Sequence, residues 1–235
     1  MRGACYAARA SPPGRRPMHD AEERYRDILE GLAVYFASPF VADVLATASR
    51  FAEPDLGGAL NRNQITSKLW LADALAGAGG GRFGTVTVLG GWFGVLAAIL
   101  LADRRLAIDS VVSVDIDPRC AAVARSMNAS HGQRFSAVTA DMLDYPYPDP
   151  RPGTAPDLVV NTACEHLPDF ASWYGRIPRG QLLALQSNDY FAVAEHVNCV
   201  PDLEAFRRQA PLAETLFAGS RRHKKYTRFM LLGRK

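Results

Sequence analysis

The chain has 235 residues, room for one domain with at most a small appendage, and 48% of them are hydrophobic, enough for a sizeable core. A net charge of +3 is too small to imply a nucleic-acid partner, and no apolar run is long enough to span a membrane. Four cysteines, Cys5, Cys120, Cys164 and Cys199, stand at scattered spacings that suit neither a zinc site nor a disulfide framework and point to a reducing cytoplasm.

Residues 1–18 carry Arg2, Arg9, Arg15 and Arg16 around Ser11-Pro-Pro-Gly14, without the continuous apolar segment of a secretory signal. They read as a disordered tail with Met18 as a candidate functional start; a basic transit-like leader is the alternative. Residues 19–60 read as a helical appendage. His19–Ser49 places Tyr25, Ile28, Leu29, Leu32, Phe40 and Val44 at helical spacing, and Pro39 divides it into two helices. Such a pair can form a lid that excludes water. Phe51–Gly58 is a loop, and Asn61–Ala76 resumes the helical period through Ile65, Leu69, Ala72 and Leu75. Gln64, Ser67 and Lys68 lie opposite that apolar face. Gly77–Gly84 is a glycine-rich connection.

From there strand and helix alternate. The expected strands are Thr85–Gly91, Ser110–Asp115, Phe135–Thr139, Asp157–Asn161 and Gln181–Gln186, and the helical patterns are Phe93–Ala102, Arg119–Asn128, Asp169–Arg176 and Leu203–Gln209. Ala213–Ala218 and Tyr226–Leu232 have no helix between them, only Arg221-Arg-His-Lys-Lys225, and read as an antiparallel hairpin with a solvated basic tip.

The turn Gly90-Gly-Trp-Phe-Gly94 follows the first strand, and the second strand ends in Asp115-Ile-Asp-Pro118. Glycine lets backbone approach a ligand closely, and an acid at the end of the next strand can accept from a ribose diol, so this order describes a nucleoside-binding crevice. Trp92 and Phe93 would crowd a dinucleotide's diphosphate, whereas a ligand without phosphate needs the glycines but no anion cradle. Asp115 is the expected ribose ligand, while Asp117, just before Pro118, also suits a helix cap. Asn161-Thr-Ala-Cys-Glu-His166 follows the fourth strand. His166 suits a base, having the side chain whose ordinary pKa lies nearest neutrality. Glu165 and His166 equally suit a helix start or a structural hydrogen bond, and Cys164 reads as packing. Gln186-Ser-Asn-Asp-Tyr190 ends the fifth strand with amides and hydroxyls that either orient a ligand or serve turn chemistry.

Together, Leu89-Gly-Gly-Trp-Phe-Gly94, Val114-Asp-Ile-Asp-Pro118, Ala140-Asp-Met142, Asn161-Thr-Ala-Cys-Glu-His166 and Gln186-Ser-Asn188 resemble the class I S-adenosylmethionine (SAM)-dependent methyltransferases over residues 61–235. The resemblance implies an α/β Rossmann-like fold, a seven-stranded and mostly parallel sheet closed by an antiparallel hairpin. It implies SAM as methyl donor or substrate, a small-molecule substrate and no metal. Cofactor contacts are implied for Gly90, Gly91, Trp92, Phe93 and Gly94, for Asp115 at the ribose, and for Ile116, Asp141 and Met142 at the adenine. Asn161, Gln186, Asn188 and Lys68 are implied at the amino-acid end. Trp92 or Phe93 would face the sulfonium as a cation–π partner, or both plug space beneath the helix. Lys68 pairs with the SAM carboxylate or is solvated. The Asp/Asn-Pro-Pro-Tyr motif of adenine-N6 methyltransferases is absent at Asn161, which disfavours a DNA-base substrate.

More narrowly, the Gly-Gly-Trp loop with Asn-Thr-Ala-Cys-Glu-His resembles azetidine-2-carboxylate synthases, which close SAM's own aminobutyl chain into a four-membered ring and release 5′-methylthioadenosine. Ring closure needs a neutral α-amine, whose reference pKa is about 8. An apolar pocket would lower that value, and Asn161 and Tyr190 would aim the lone pair at Cγ. The alternative is methyl transfer to a small molecule with Glu165 or His166 as general base. A non-catalytic SAM-binding module is the third reading.

Overall fold

The computed structural model describes residues 19–52, 54–78, 80–150 and 153–235, with side chains from Tyr25 onward; the expected tail at 1–18 lies outside them. Helices α1 (His19–Phe36), α2 (Pro39–Arg50), α3 (Leu56–Ala59) and α4 (Arg62–Gly77) precede the sheet. Then come β1 (Arg82–Leu89), α5 (Val95–Ala102), β2 (Ala107–Asp115), α6 (Pro118–Met127), β3 (Phe135–Thr139) and β4 (Leu158–Asn161). The chain ends with α7 (Phe170–Arg176), β5 (Leu182–Asn188), α8 (Leu203–Gln209), β6 (Glu214–Arg222) and β7 (Thr227–Arg234).

The local rules of capping explain the helix starts. Ser38 caps α2 with Pro39 at its first position, Asn61 accepts from the Gln64 amide at 3.0 Å to open α4, and Asp117 caps α6 ahead of Pro118. α5 begins at Val95 rather than Phe93, because Gly94 holds φ +75 as its N-cap and the residues before it belong to the turn.

The seven strands form one sheet in the order β3-β2-β1-β4-β5-β7-β6. β7 alone runs antiparallel to both its neighbours, pairing Asn188 with Arg228 and Gly219 with Met230. Both faces are covered, as a parallel sheet requires. Leu158, Val160, Leu182 and Ala184 join Leu71 and Leu75 of α4 and Leu96 and Leu100 of α5 on one face. The alternate residues Val159, Leu183 and Leu185 meet Phe170 and Trp173 of α7 and Phe206 of α8 on the other. The order reverses between β1 and β4, which opens a crevice at the carboxyl ends of those strands.

α2 packs against the outer side of α6. Asp43 accepts from the Ser130 amide at 3.0 Å and its hydroxyl at 2.6 Å, and Thr47 donates to Ser126 at 2.9 Å. Phe40, Val44 and Phe51 complete this contact around Val123 and Met127. In α4 the apolar period is shifted from expectation: Leu69 is 45% exposed, while Ser67 is buried with Leu71, Ala72 and Leu75. Its polar residues therefore turn inward. Among the described residues, no helix is long and apolar enough to cross a membrane.

Candidate functional site

The turn after β1 is built on left-handed backbone. Gly90, Trp92 and Gly94 have φ of 58, 48 and 75. A Cβ on Gly91 would stand 2.0 Å from Ser113 Oγ, so only glycine lets the turn lie flat on β2. Trp92 takes the left-handed conformation without that freedom, at a cost of about 1–2 kcal/mol. Its amide is thereby aimed at Asp115 Oδ2, 2.8 Å away, while the Asp117 amide donates to Oδ1 at 3.0 Å. Two backbone amides thus fix the Asp115 carboxylate, and each oxygen keeps a lone pair for a further donor.

A cavity of about 710 Å³ opens beside this turn. At one end stand Asp115, Ile116, Asp141, Met142 and Leu143, with Asp141 Oδ1 accepting from the Leu143 amide at 2.8 Å. Trp92 and Phe93 form a wall, their rings stacked 4.8 Å apart. The same two rings line a second groove of about 540 Å³ on the α6 side, together with Asp117 and Arg119.

The other end of the cavity is polar. Lys68 Nζ donates to Gln64 Oε1 at 2.5 Å. Burial, aided by the Arg228 guanidinium, pulls the Lys68 ammonium down to about 7. Arg228 donates to the Thr162 carbonyl at 3.1 Å and lies 3.3 Å from Glu165 Oε1. The side chains of Glu165 and Arg228 are both buried, yet Glu165 Oε2 and Arg228 Nε have no hydrogen-bond partner. His166 is exposed at the cavity mouth, with Nδ1 3.0 Å from the Glu195 carbonyl oxygen. A carbonyl only accepts, so in the neutral ring Nδ1 carries the proton and Nε2 keeps its lone pair.

No protein-family model matches the sequence, and no curated protein does. Solved structures do match. N-methyltransferase NodS from Bradyrhizobium japonicum WM9, in complex with S-adenosyl-L-homocysteine, superposes with a TM-score of 0.56 at 12% identity, over 81% of this chain and 98% of that one. Magnesium protoporphyrin IX methyltransferase from Synechocystis PCC 6803 gives 0.54 at 11% identity, over 91% and 99%. Geranyl diphosphate C-methyltransferase from Streptomyces coelicolor A3(2) gives 0.54 at 12%, over 76% and 83%. The fold is that of the class I SAM-dependent methyltransferases.

On that methyltransferase fold, the residues singled out from sequence divide into two groups. Gly90, Gly91, Trp92, Phe93, Asp115, Ile116, Asp141, Met142, Glu165, His166 and Lys68 line the cavity. Gly94, Asn161, Gln186, Asn188 and Tyr190 are not in its lining. Gly94 faces Ala124 and Asn128 of the neighbouring helix and its cap. The Asn161 amide turns back on its own loop, accepting from the Ala163 amide at 2.9 Å and lying 3.6 Å from Met142 Sδ. Gln186 ties β5 to the Ser67 carbonyl of α4 at 3.3 Å. Asn188 donates to Glu165 Oε1 at 2.5 Å and accepts from the Tyr190 amide at 2.9 Å, while the Tyr190 ring stacks on Tyr226, 5.4 Å away. These residues support the lining from behind.

Sequence reasoning missed Arg228. Its one signal was a charge directly before the apolar run Phe229–Leu232, at the strand end next to the site. It also placed the whole 221–225 cluster in solvent. Lys224 and Lys225 are exposed, but His223 is buried, 3.3 Å from both Ser67 Oγ and Asn63 Oδ1, and stacked on Tyr226. Burial lowers its pKa. The buried Cys164 thiol is pushed well above its ordinary value, first by desolvation and then by Glu165, which makes it a packing group.

Proposed function

We propose that the protein is a SAM-dependent methyltransferase acting on a small molecule. The observation that carries this reading is His166, whose Nδ1 is committed to the Glu195 carbonyl and whose free Nε2 belongs to a residue of the cavity mouth. SAM would place its ribose on Asp115, its adenine between Ile116 and Met142, and its carboxylate toward Lys68 and Arg228. An acceptor at the mouth then attacks the methyl carbon, the sulfonium leaves as S-adenosylhomocysteine, and the acceptor proton passes to His166 Nε2. The cavity wall of Trp92 and Phe93 keeps water from competing. The class of acceptor is supported by the neighbours, whose names identify geranyl diphosphate and magnesium protoporphyrin IX as substrates.

Ring closure of SAM to azetidine-2-carboxylate is the second reading. Asn161 and Tyr190, expected to aim the α-amine, stand behind the lining. The support left for this reaction is the unpartnered Glu165 Oε2, which can take a proton from the amine.

Incubation with SAM alone, and then with a panel of small amines, thiols and phenols, separates these readings. S-adenosylhomocysteine that forms only with an acceptor, and falls at least tenfold in His166→Ala, is the expected result. Methylthioadenosine and azetidine-2-carboxylate in equal amounts from SAM alone would establish cyclisation instead. A protein that gives no heat with SAM in calorimetry would sink both.

A further inference from the structure

We propose that Glu165, His166 and His196 bind one divalent transition-metal ion, such as Zn²⁺, at the mouth of the cavity. One potential ligand atom from each of the three lies within 4.8 Å of the others. The two imidazoles meet edge to face, 4.6 Å between centroids. Each has Nδ1 at 3.0 Å from a backbone carbonyl, His166 from Glu195 and His196 from Tyr190. Both Nδ1 atoms therefore carry protons and both Nε2 atoms offer lone pairs, the outer hydrogen bond that orients a metal-binding histidine.

Glu165 supplies the second, independent observation. It is 2% exposed, its Oε1 is held by Asn188 and Arg228, and its Oε2 is buried with no partner. A buried carboxylate oxygen left so is costly, and a cation would satisfy it. Two imidazoles and one carboxylate favour Zn²⁺, Fe²⁺, Co²⁺ or Ni²⁺ over Mg²⁺ and Ca²⁺, which prefer all-oxygen sites. The Arg228 guanidinium opposes the ion, so Glu165 contributes less than an unpaired carboxylate would.

Bond lengths of about 2.0–2.1 Å place the ligand atoms of a tetrahedral ion about 3.3 Å apart. The set must therefore contract by about 1.5 Å or less. His196 and its carbonyl partner Tyr190 share the segment between β5 and α8, so they can shift together.

Three protein ligands leave a coordination position open, the pattern of catalytic rather than structural sites. Since His166 and Glu165 line the cavity, that position is accessible to an acceptor hydroxyl or thiol. Bound to the ion, the acceptor would lose its proton to solvent more readily and attack the methyl group as an anion. This consequence rests on the methyl-transfer reading and replaces His166 as base; the ion site itself does not depend on it.

The test is metal binding without SAM. Chelator-stripped protein is titrated with Zn²⁺ by calorimetry and with Co²⁺ by visible absorption. One ion per chain is expected, with affinity falling by about tenfold or more in His196→Ala and in His166→Ala. Zn²⁺ should raise the melting temperature of the wild type and not that of His196→Ala, which reports on binding to folded protein. Substoichiometric binding, or equal affinity in wild type and His196→Ala, overturns the site. SAM binding, measured separately on the stripped protein, decides the cofactor reading and leaves this result untouched.

Discussion

With Lys68 held down to about 7, most of it is neutral in the ligand-free protein at about pH 8. If the SAM carboxylate pairs with Lys68, the bound complex favours the ammonium and the pKa climbs back toward its ordinary 10.5. Binding then takes up a proton, and above about pH 7 the dissociation constant rises tenfold per pH unit, about 1.4 kcal/mol each. Two units amount to a hundredfold, about 2.7 kcal/mol. Calorimetric titration of SAM between about pH 6 and 9, in buffers of different ionisation enthalpy, reads both the slope and the proton. The α-amine of SAM, with a reference pKa of about 8, adds a slope of its own if it binds as ammonium. Lys68→Met should keep that slope and lose the one attributed to Lys68. 5′-Methylthioadenosine lacks both the amine and the carboxylate and should show no pH dependence over this range. An identical slope in Lys68→Met, or one with methylthioadenosine, would refute the assignment. Stability moves in the opposite sense. The folded pKa lies below the unfolded one, so between about pH 7 and 10.5 the unfolded chain binds more protons and stability rises with pH. Lys68→Met should flatten that rise and leave the protein more stable at neutral pH.

Arg228→Met strands the buried Glu165 carboxylate with Asn188 alone and should cost about 3–5 kcal/mol in denaturant unfolding. Adding Glu165→Gln should recover part of the loss, and simple additivity would show that the pair is not coupled. Gly94→Ala forces an L residue to φ +75 and puts a Cβ 2.5 Å from Asn128 Nδ2 and 3.3 Å from the Ala124 Cα. The expected loss is about 2–4 kcal/mol, and an unchanged melting temperature would contradict it. Asp43→Ala removes both bonds to Ser130 and should cost about 1–3 kcal/mol. Amide exchange should quicken in α2 while SAM affinity holds, because α2 braces α6; a tenfold weaker affinity would make α2 a lid instead.

The sheet was legible because its signals are local and repeated. Runs such as Val159-Val160 and Leu183-Ala184-Leu185 have the continuous apolar character of strands buried on both faces, and the helices that follow them open on the capping residues Asp169 and Asp202. Strand ends were harder. β1 starts at Arg82, three residues before the expected Thr85, because Gly84 looks like loop in one dimension but is required there: a Cβ would meet Asp157 Oδ1 at 2.6 Å. α4 misled for a related reason. Its period was set by Leu69 and Ile65, yet the cavity draws Gln64 and Lys68 inward and leaves Leu69 outside.

In the site, the elements that carry a ligand motif on their own sequence were readable, and the groups that act across elements were not. Asp115 is held by the amide of Trp92, and both line the cavity, each in a turn that is recognisable from its own sequence. Asn161, Gln186 and Asn188 lie at the right strand ends but are 0–1% exposed, and each spends its amide on the loop or helix behind it. A strand end can point a polar side chain into the crevice or back into its support, and only neighbours distant in sequence decide which. Arg228 shows the converse. It belongs to β7, whose pairing with β5 sets it opposite Asn188 and so against Glu165, 63 residues away. His196 reaches His166 by the same kind of long return, across 30 residues that contain all of β5 (196 minus 166). The polar end of the cavity is therefore assembled by topology: β7 must insert beside β5 before the Lys68, Glu165 and Arg228 charges share one wall.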